Sequence, residues 1–296
     1  MEVKAIDYVV PMVFHDDEEW RKVMRETGHR YDEEDLIDFV RYRSWGTEEL
    51  LIRCVLKFMP WLRNIYILLA QESQKRDWMD KLSPKVRIVY HRDFMPQWAL
   101  PTFNSCSIEM FLHNIPGISE RFIYGNDDMF PLVPLKEEDF FDGDTPCLHH
   151  EERAFPLDPN IFHLSCRNGL NFVAKEFDKR YTDKWLKGGH SITPMLKSTW
   201  EHLWEIGKRD IQVSVTRFRD ARNFNQWLCP WWHHLAGKYT DRVPNRSYVS
   251  TKNRIEDIIR TIVHSTGIVC VNDNECVRNY MRYGRAVVEA LEVKLK

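Results

Sequence analysis

The sequence predicts an α/β fold: a Rossmann-like, mostly parallel twisted sheet with a largely helical C-terminal part. Three observations carry this. Short apolar runs alternate with capped, amphipathic segments through residues 1–150, four of those runs read as buried strands, and residues 151–296 are dominated by helix-like periodicity. Strands joined through helices run parallel, because each crossover returns the chain to the same end of the sheet. We therefore read one α/β core, residues 1–150, with a mainly helical half, residues 151–296, packed against it.

The elements follow in order. Ile6 to Phe14 reads as a buried strand, with Pro11 marking its end or a bulge. Asp16 and Asp17 suit the N-cap of a polar helix. Thr47 then reads as the cap of a helix with Glu48 and Glu49 in its first turn, and Leu50, Leu51, Val55 and Phe58 recur at helical spacing before Pro60. Asn64–Ala70 and Val86–Tyr90 read as the second and third strands, and Asn104–Asn114 as a helix ended by Pro116 and Gly117. The fourth strand, Arg121–Tyr124, runs straight into Gly125, Asn126, Asp127 and Asp128. In the second half, Asn168–Leu186, Ser191–Gly207, Asn223–Gly237, Arg254–Thr266 and Asp273–Val293 read as helices. Ile211–Thr216 and Gly267–Val271 read as short strands.

Composition narrows the function classes. Lys and Arg number 42 against 44 Asp and Glu, a net charge of −2, so nothing attracts the chain to nucleic acid as a whole. With 43% hydrophobic and 29% charged residues, wholesale disorder is excluded. The longest apolar runs, such as Asn64–Ala70, fall far short of the roughly 20 residues a membrane span needs. Residues 1–7 lack the apolar stretch of a signal peptide, and the expected location is cytoplasmic. The 7 cysteines are scattered without a CxxC pair and read as reduced, mostly core, thiols. The aromatic share of 13% suits either sugar stacking or a core, and composition does not choose.

Chemistry-bearing residues gather where the fold expects a site. Asp127 and Asp128 are adjacent carboxylates at the carboxyl end of a strand, where ligands of parallel sheets bind. Clustered carboxylates need compensation, and Mg²⁺ or Mn²⁺ bridging to substrate phosphate is one form of it. The other reading is a turn stabilised by Asn126 with Asp128 as an N-cap. His190 follows Gly188 and Gly189 and precedes a helix expected from Ser191, a setting for a general base or phosphate partner, or for a plain surface histidine. Arg217, Arg219 and Arg222 form a basic cluster suited to phosphate oxygens, or to ion pairs with Asp210 and Asp220. Asn272, Asp273 and Asn274 repeat the strand-then-acid pattern, with Asp273 as a ligand or a helix cap. His149–Glu152 and the pair His233–His234 match no zinc spacing.

Taken in order, these segments resemble the Stealth family of sugar-1-phosphate transferases of bacterial capsule synthesis, which includes the catalytic part of N-acetylglucosamine-1-phosphotransferase. Leu100–Phe130 is similar to the second signature block, whose upstream part is seen in Arg41, Tyr42, Arg43, Arg53, Pro60, Trp61, Ile65–Ile67, Gln71 and His91. The first block resembles Ile6 through Trp20, the third Gly189, His190, Pro194 and Lys197 on to Arg217–Arg219, and the fourth Cys270–Asp273. The chain departs from the family at Phe14 and His15, where an acidic residue and a glycine are usual, and at Ser44, where an Asp is usual.

The resemblance implies one catalytic domain over residues 1–296. It would move a sugar-1-phosphate from a nucleotide diphosphate sugar, with a UDP-sugar as the family's suggestion, to a hydroxyl of a glycan acceptor, releasing the nucleoside monophosphate. It implies His190, Arg219 and Asp127 as catalytic, Asp127, Asp128 and Asp273 as ligands of Mg²⁺ or Mn²⁺, and Asn104, Asn126, Arg43, Arg217 and Lys197 as substrate contacts. It also allows peripheral association with a polysaccharide-synthesis assembly at the inner membrane face. A metal-dependent glycosyltransferase and a non-catalytic glycan-binding relative are the alternatives.

Overall fold

The computed structural model describes residues 5–28, 42–273 and 279–296. In the first half, β1 (Ile6–Pro11) leads through α1 (Glu18–Glu26) and α2 (Glu48–Phe58) to β2 (Ile65–Leu69) and β3 (Val86–Tyr90). The chain then passes α3 (His91–Phe94) and α4 (Ser105–Glu109) to reach β4 (Arg121–Tyr124). These four strands are mutually parallel in the order β4-β1-β2-β3, as the alternation of strand and helix predicts. Both faces of the sheet are covered. Ile6, Tyr8 and Val10 join a core that includes Leu51 and Val55, while Val9 points the other way, into a core with Phe111 and Trp200. After β1 the chain crosses to β2 on one side, and after β3 to β4 on the other. The crevice between the carboxyl ends of β1 and β4 is therefore the topological switch point, where open α/β sheets bind ligands.

Local chemistry sets the helix ends. Asp17 caps α1 through its carboxylate, which accepts from the backbone N–H of Glu19 and Trp20 at 3.0 and 3.3 Å. Thr47 has helix-like backbone angles before α2 and makes no side-chain cap, so the acidic first turn alone complements that helix end. The helix expected over 104–114 divides into α4 and a separate 3₁₀ turn, Leu112–Asn114.

The second half adds strands as well as helices. β5 (Met129–Pro131) follows the acidic loop, then come β6 (Phe141–Asp142), β7 (Thr145–Leu148), β8 (His150–Ala154), α5 (Ile161–Ala174), β9 (Lys184–Gly188) and β10 (Thr193–Leu196). α6 (Lys197–Ser214), α7 (Leu228–Leu235), β11 (Thr240–Asp241), β12 (Arg246–Ser250), α8 (Ile255–Val263), β13 (Ile268–Asn272) and α9 (Tyr280–Leu295) complete it. β10 extends the central sheet antiparallel to β4, and β12-β13-β5 forms a second sheet that continues from the loop after β4.

Three sequence expectations change here. The helix expected over 168–186 ends at Ala174, after which β9 pairs with β8; buried Trp185 and Leu186 are flanked by exposed Lys184 and Lys187. Ser191 starts no helix: Thr193–Leu196 is an edge strand, the place in a sheet that tolerates Pro194. Ile211–Ser214, expected as part of a strand, is the last turn of α6. Ile211 extends the buried stripe Trp200, Leu203, Gly207, and the helix kinks at Gly207, where an end was expected. Six cysteines are described, all free and five of them buried, while Cys276 lies outside the described residues. Among the described residues no helix is long and apolar enough to cross a membrane.

Candidate active site

The loops that follow β1, β4 and β13 and the one that precedes β10 meet at the switch point. Gly125 turns the chain out of β4, and only glycine fits there, since a Cβ would stand 2.3 Å from the Tyr8 hydroxyl and 2.7 Å from Ile192. Asn126, Asp127 and Asp128 follow, each half-buried, with the turn closed by the Met129 N–H donating to the Asn126 carbonyl at 3.2 Å.

Asp128 is the hub. Its Oδ2 accepts from Asn272 Nδ2 at 3.0 Å and from the Cys270 thiol at 3.2 Å, and it lies 3.5 Å from His190 Nε2. Its Oδ1 is buried and has no partner. Burial alone would raise this carboxyl, but His190, Cys270 and Asn272 outweigh it and hold Asp128 below the usual carboxylate range. Burial would likewise lower His190, yet the Asp128 carboxylate lifts it above its ordinary value. The two form a polarised pair. Asp127 behaves oppositely: burial, then the nearby charges of Asp128, Glu48 and Asp273, push it well above the carboxylate range.

Gly189 also serves a close approach, because a Cβ there would overlap the Arg246 guanidinium at 2.1 Å. This explains the Gly-Gly-His pattern by packing around His190 rather than by turn geometry. Asp273, at the carboxyl end of β13, is held by Arg43, whose Nε donates to its Oδ2 at 3.1 Å and whose Nη2 donates to its backbone carbonyl at 2.5 Å. The Arg43 guanidinium also stacks on the Tyr280 ring at 4.0 Å. Asn274 lies outside the described residues.

The arginine loop after α6 approaches from the far side. Arg219 donates to Ser105 Oγ at 2.8 Å and is close enough to His190 and Glu109 to shift both. Arg217 is exposed, and its carbonyl accepts the Phe103 N–H at 2.8 Å. Arg222 is turned to Asp220, the ion-pair reading of its charge.

Two residues expected to contact substrate stand elsewhere. Asn104 is fully buried: its Oδ1 caps α4 through Cys106 N–H, and its Nδ2 lies among oxygens of Ser107, Thr216, Phe218 and Asn223. It fastens the arginine loop to α4 instead of facing a ligand. Lys197 sits beyond Leu196, which pairs with Arg121 at the amino end of β4, while the site lies past Tyr124 at the other end. Its amine is 3.6 Å from Glu201. An antiparallel edge strand separates His190 from Lys197, which a sequence block cannot reveal.

Other residues were missed. Glu109 is buried beneath Arg219, accepting from Tyr124 Oη at 3.1 Å and from Gln226 N–H at 2.6 Å, and burial pushes it to about 7. Its signal was a lone acid in the apolar run Ile108–Leu112. Glu48, also buried, is raised by burial and adds to the negative field on Asp127. His15, one of the departures from the family pattern, lies near Asp273 and Arg43 and is lowered by burial. Phe14 is buried under the Arg76 guanidinium at 4.5 Å, with its backbone N–H and carbonyl both held by Gln74. This loop is therefore part of the site's wall.

The carboxylates here, rather than the thiol, are the donors that suit Mg²⁺ or Mn²⁺. Asp128, His190 and Cys270 bring ligand atoms within 4.8 Å of one another, a group that could hold a metal ion, and neither Asp127 nor Asp273 belongs to it. The unpartnered Asp128 Oδ1 and the raised Asp127 both indicate a site with more negative than positive charge. The set expected from sequence thus shares only Asp128 with this group.

Residues 41–147 match the family model described as Stealth protein CR2, conserved region 2. The chain carries a Stealth conserved region 2. That region contains α2, β2, β3, α4, β4 and the acidic loop. The capsular polysaccharide phosphotransferase WcwK of Streptococcus pneumoniae is 28% identical, covering 99% of this chain and 96% of its own. The receptor polysaccharide phosphotransferase WefC of Streptococcus gordonii is 28% identical over 98% and 96%. A capsular polysaccharide phosphotransferase of Actinobacillus suis is 29% identical over 80% of this chain and 66% of its own. The Stealth resemblance drawn from the sequence, and with it the expectation of a transferase enzyme, is borne out. Among solved structures, the galactosyltransferase LgtC aligns with 96% of this chain at a TM-score of 0.46 and 9% identity, too loose a likeness to inform its chemistry.

Proposed function

We propose that this Stealth-type chain acts as one catalytic unit that transfers a sugar-1-phosphate, of a hexose or N-acetylhexosamine, from a nucleotide diphosphate sugar to a hydroxyl of a glycan acceptor in capsular or exopolysaccharide synthesis. The observation that carries the reading is the His190–Asp128 pair at the switch point, with Arg219 across from it and Asp127 beside it. The relatives' names point to the same reaction class.

Asp128 raises the basicity of His190, which suits the imidazole to take the proton of the acceptor hydroxyl. The freed oxygen bonds to the phosphorus nearest the sugar. The bond from that phosphorus to the bridging oxygen breaks, and the nucleoside monophosphate leaves with both electrons. Arg219 faces the negative charge that gathers on the transferred phosphoryl group. Asp127 and the free Oδ1 of Asp128 would hold Mg²⁺ or Mn²⁺, and such an ion neutralises diphosphate charge when bound. Arg43 keeps Asp273 oriented beside them. Because nucleotide sugars are cytoplasmic, the reading places the enzyme there, peripheral to a polysaccharide-synthesis assembly.

Product analysis tests this. The protein is incubated with nucleotide sugars, UDP-sugars first, with Mg²⁺ or Mn²⁺ and capsule-type oligosaccharides, and followed by mass spectrometry. A nucleoside monophosphate, with a sugar-phosphate mass gain on the acceptor, is expected, and it should vanish in His190→Ala and Asp127→Asn at unchanged melting temperature. Release of a diphosphate with a sugar-only gain would make the protein a glycosyltransferase instead.

A further inference from the structure

A groove of about 740 Å³ opens outside this site, between the segment that follows α3 and the outer face of α6. On one wall stands Trp98, 50% exposed. On the other, Glu201, Trp204, Glu205 and Lys208 succeed one another at the three- and four-residue spacing of a single helix face. The two indoles are held by one ring: Trp98 meets the edge of Phe111 at 5.9 Å, and Trp204 tilts over it at 5.2 Å. Trp204 is further fixed by its Nε1 donating to the Met110 carbonyl at 2.6 Å. The groove thus offers two oriented aromatic surfaces, one of which the fold leaves in water.

Polar groups available for new bonds surround these rings. The side chains of Asn114, Glu205 and Lys208 make no hydrogen bond or ion pair among the described residues. Glu201 is paired with Lys197 and Asp93 with Arg92, and Glu205 is balanced by Lys208, so the lining is close to neutral and offers a polyanion or an anionic lipid surface no net attraction. Flat apolar rings beside unpaired donors and acceptors match a pyranose, with its apolar C–H face and its edge of hydroxyls.

The groove also points somewhere. Trp98 is followed by Phe103 and Asn104, and Gln212, at the far end of the α6 wall, is followed by Thr216 and Arg217. These continuations are bonded together, Phe103 N–H to the Arg217 carbonyl at 2.8 Å and Asn104 Nδ2 to Thr216 Oγ1 at 3.1 Å. Both walls therefore converge on the junction that carries Arg219.

We propose that this groove is a docking subsite for neutral sugar units of the acceptor glycan, stacked on Trp98 and Trp204 several units away from the hydroxyl that reacts. The inference rests on the reading that the acceptor is a glycan. A chain long enough to occupy groove and site together binds both, so long acceptors gain affinity that short ones lack.

The test is equilibrium binding of the full chain, without donor or added metal, to an array of bacterial capsular oligosaccharides from two to eight sugars. The wild type should bind neutral members with affinity that grows with length. Trp98→Ala should weaken the longest at least tenfold with its melting temperature unchanged, as removal of a half-exposed ring allows. Glu205→Gln, which leaves the packing intact, should weaken binding several-fold. Wild-type binding to no array member, or binding indifferent to Trp98 and Glu205, overturns the proposal. Binding is read without turnover, so the two readings fail separately. Trp98-dependent binding in a protein that turns over no nucleotide sugar would sink the transfer reaction and leave the subsite standing.

Discussion

Replacing Glu109 with Gln should flatten the dependence of stability on pH. Glu109 is buried between Tyr124 and Gln226, and burial raises it from an ordinary 4.5 to about 7, with Arg219 the strongest of the groups that pull it back. Between those two pH values the folded chain keeps the proton that the unfolded chain has released. Folding then binds more protons than unfolding, so stability falls as pH rises through that window and levels off above pH 7. The gap corresponds to about 3 kcal/mol, of which about 2 to 3 kcal/mol lies between pH 5 and pH 8. In Glu109→Gln the amide oxygen can accept the Gln226 N–H while its NH₂ donates to Tyr124 Oη, so the packing survives without the titration. Urea unfolding of both proteins at pH 5 and pH 8 measures the effect, and titrating groups not coupled to Glu109 cancel in the comparison. The wild type should lose about 2 to 3 kcal/mol more than the variant over this range. Parallel losses would refute the assignment of a neutral carboxylic acid beneath Arg219. Arg219→Gln should move the window to higher pH, because it removes the chief charge that holds Glu109 down.

Other variants probe the placements. Asn104→Ala should cost about 3 kcal/mol in urea unfolding, from a lost helix cap and buried oxygens left unpaired, and activity should fall with it; unchanged stability would return Asn104 to the ligand side. Lys197→Ala should leave kcat/KM within about twofold, since the amine pairs with Glu201 at the other end of the strand, and a large loss would show that the substrate reaches that end. Gly125→Ala should cost about 2 to 3 kcal/mol, and Tyr8→Phe in the same chain should recover part of it by removing the hydroxyl nearest the new methyl; equal cost in both backgrounds would move the strain elsewhere.

Much of the core was legible because its periodicities are local. Asn64–Ala70 and Val86–Tyr90 are continuous apolar or alternating runs bounded by turn residues, and they became β2 and β3 with little change. Asp17 announced its cap by type and position. What failed depended on partners far along the chain. Thr193–Leu196 contains a proline and reads poorly as a strand, yet β4 offers it a free edge. Ile211–Ser214 alternates like a strand, but the stripe it completes begins at Trp200.

The site divides in the same way. Asp127, Asp128, His190 and Arg219 stand out as charged residues beside strands and turns, and they do gather at one crevice. Asn104 looked like a ligand contact because an amide before a helix serves equally to cap it, and only the oxygens brought by residues 216–223 decide between the roles. Glu109 was hidden because nothing in a sequence tells whether a lone acid in an apolar run faces water or the core.

The long separations within the site bear on how the protein is made. Asp128 bonds to Cys270 and Asn272 across 142 and 144 positions, and Arg43 reaches Asp273 across 230. Contacts so distant in sequence form late, after the loops between them have closed. A chain still on the ribosome presents β1, β4 and the acidic loop well before β13 emerges. Until it does, Asp128 has no Asn272 or Cys270 to fix its Oδ2, and Arg43 has no Asp273 to turn toward. The site of the unfinished polypeptide is thus incomplete, and these contacts close only when the last strand docks.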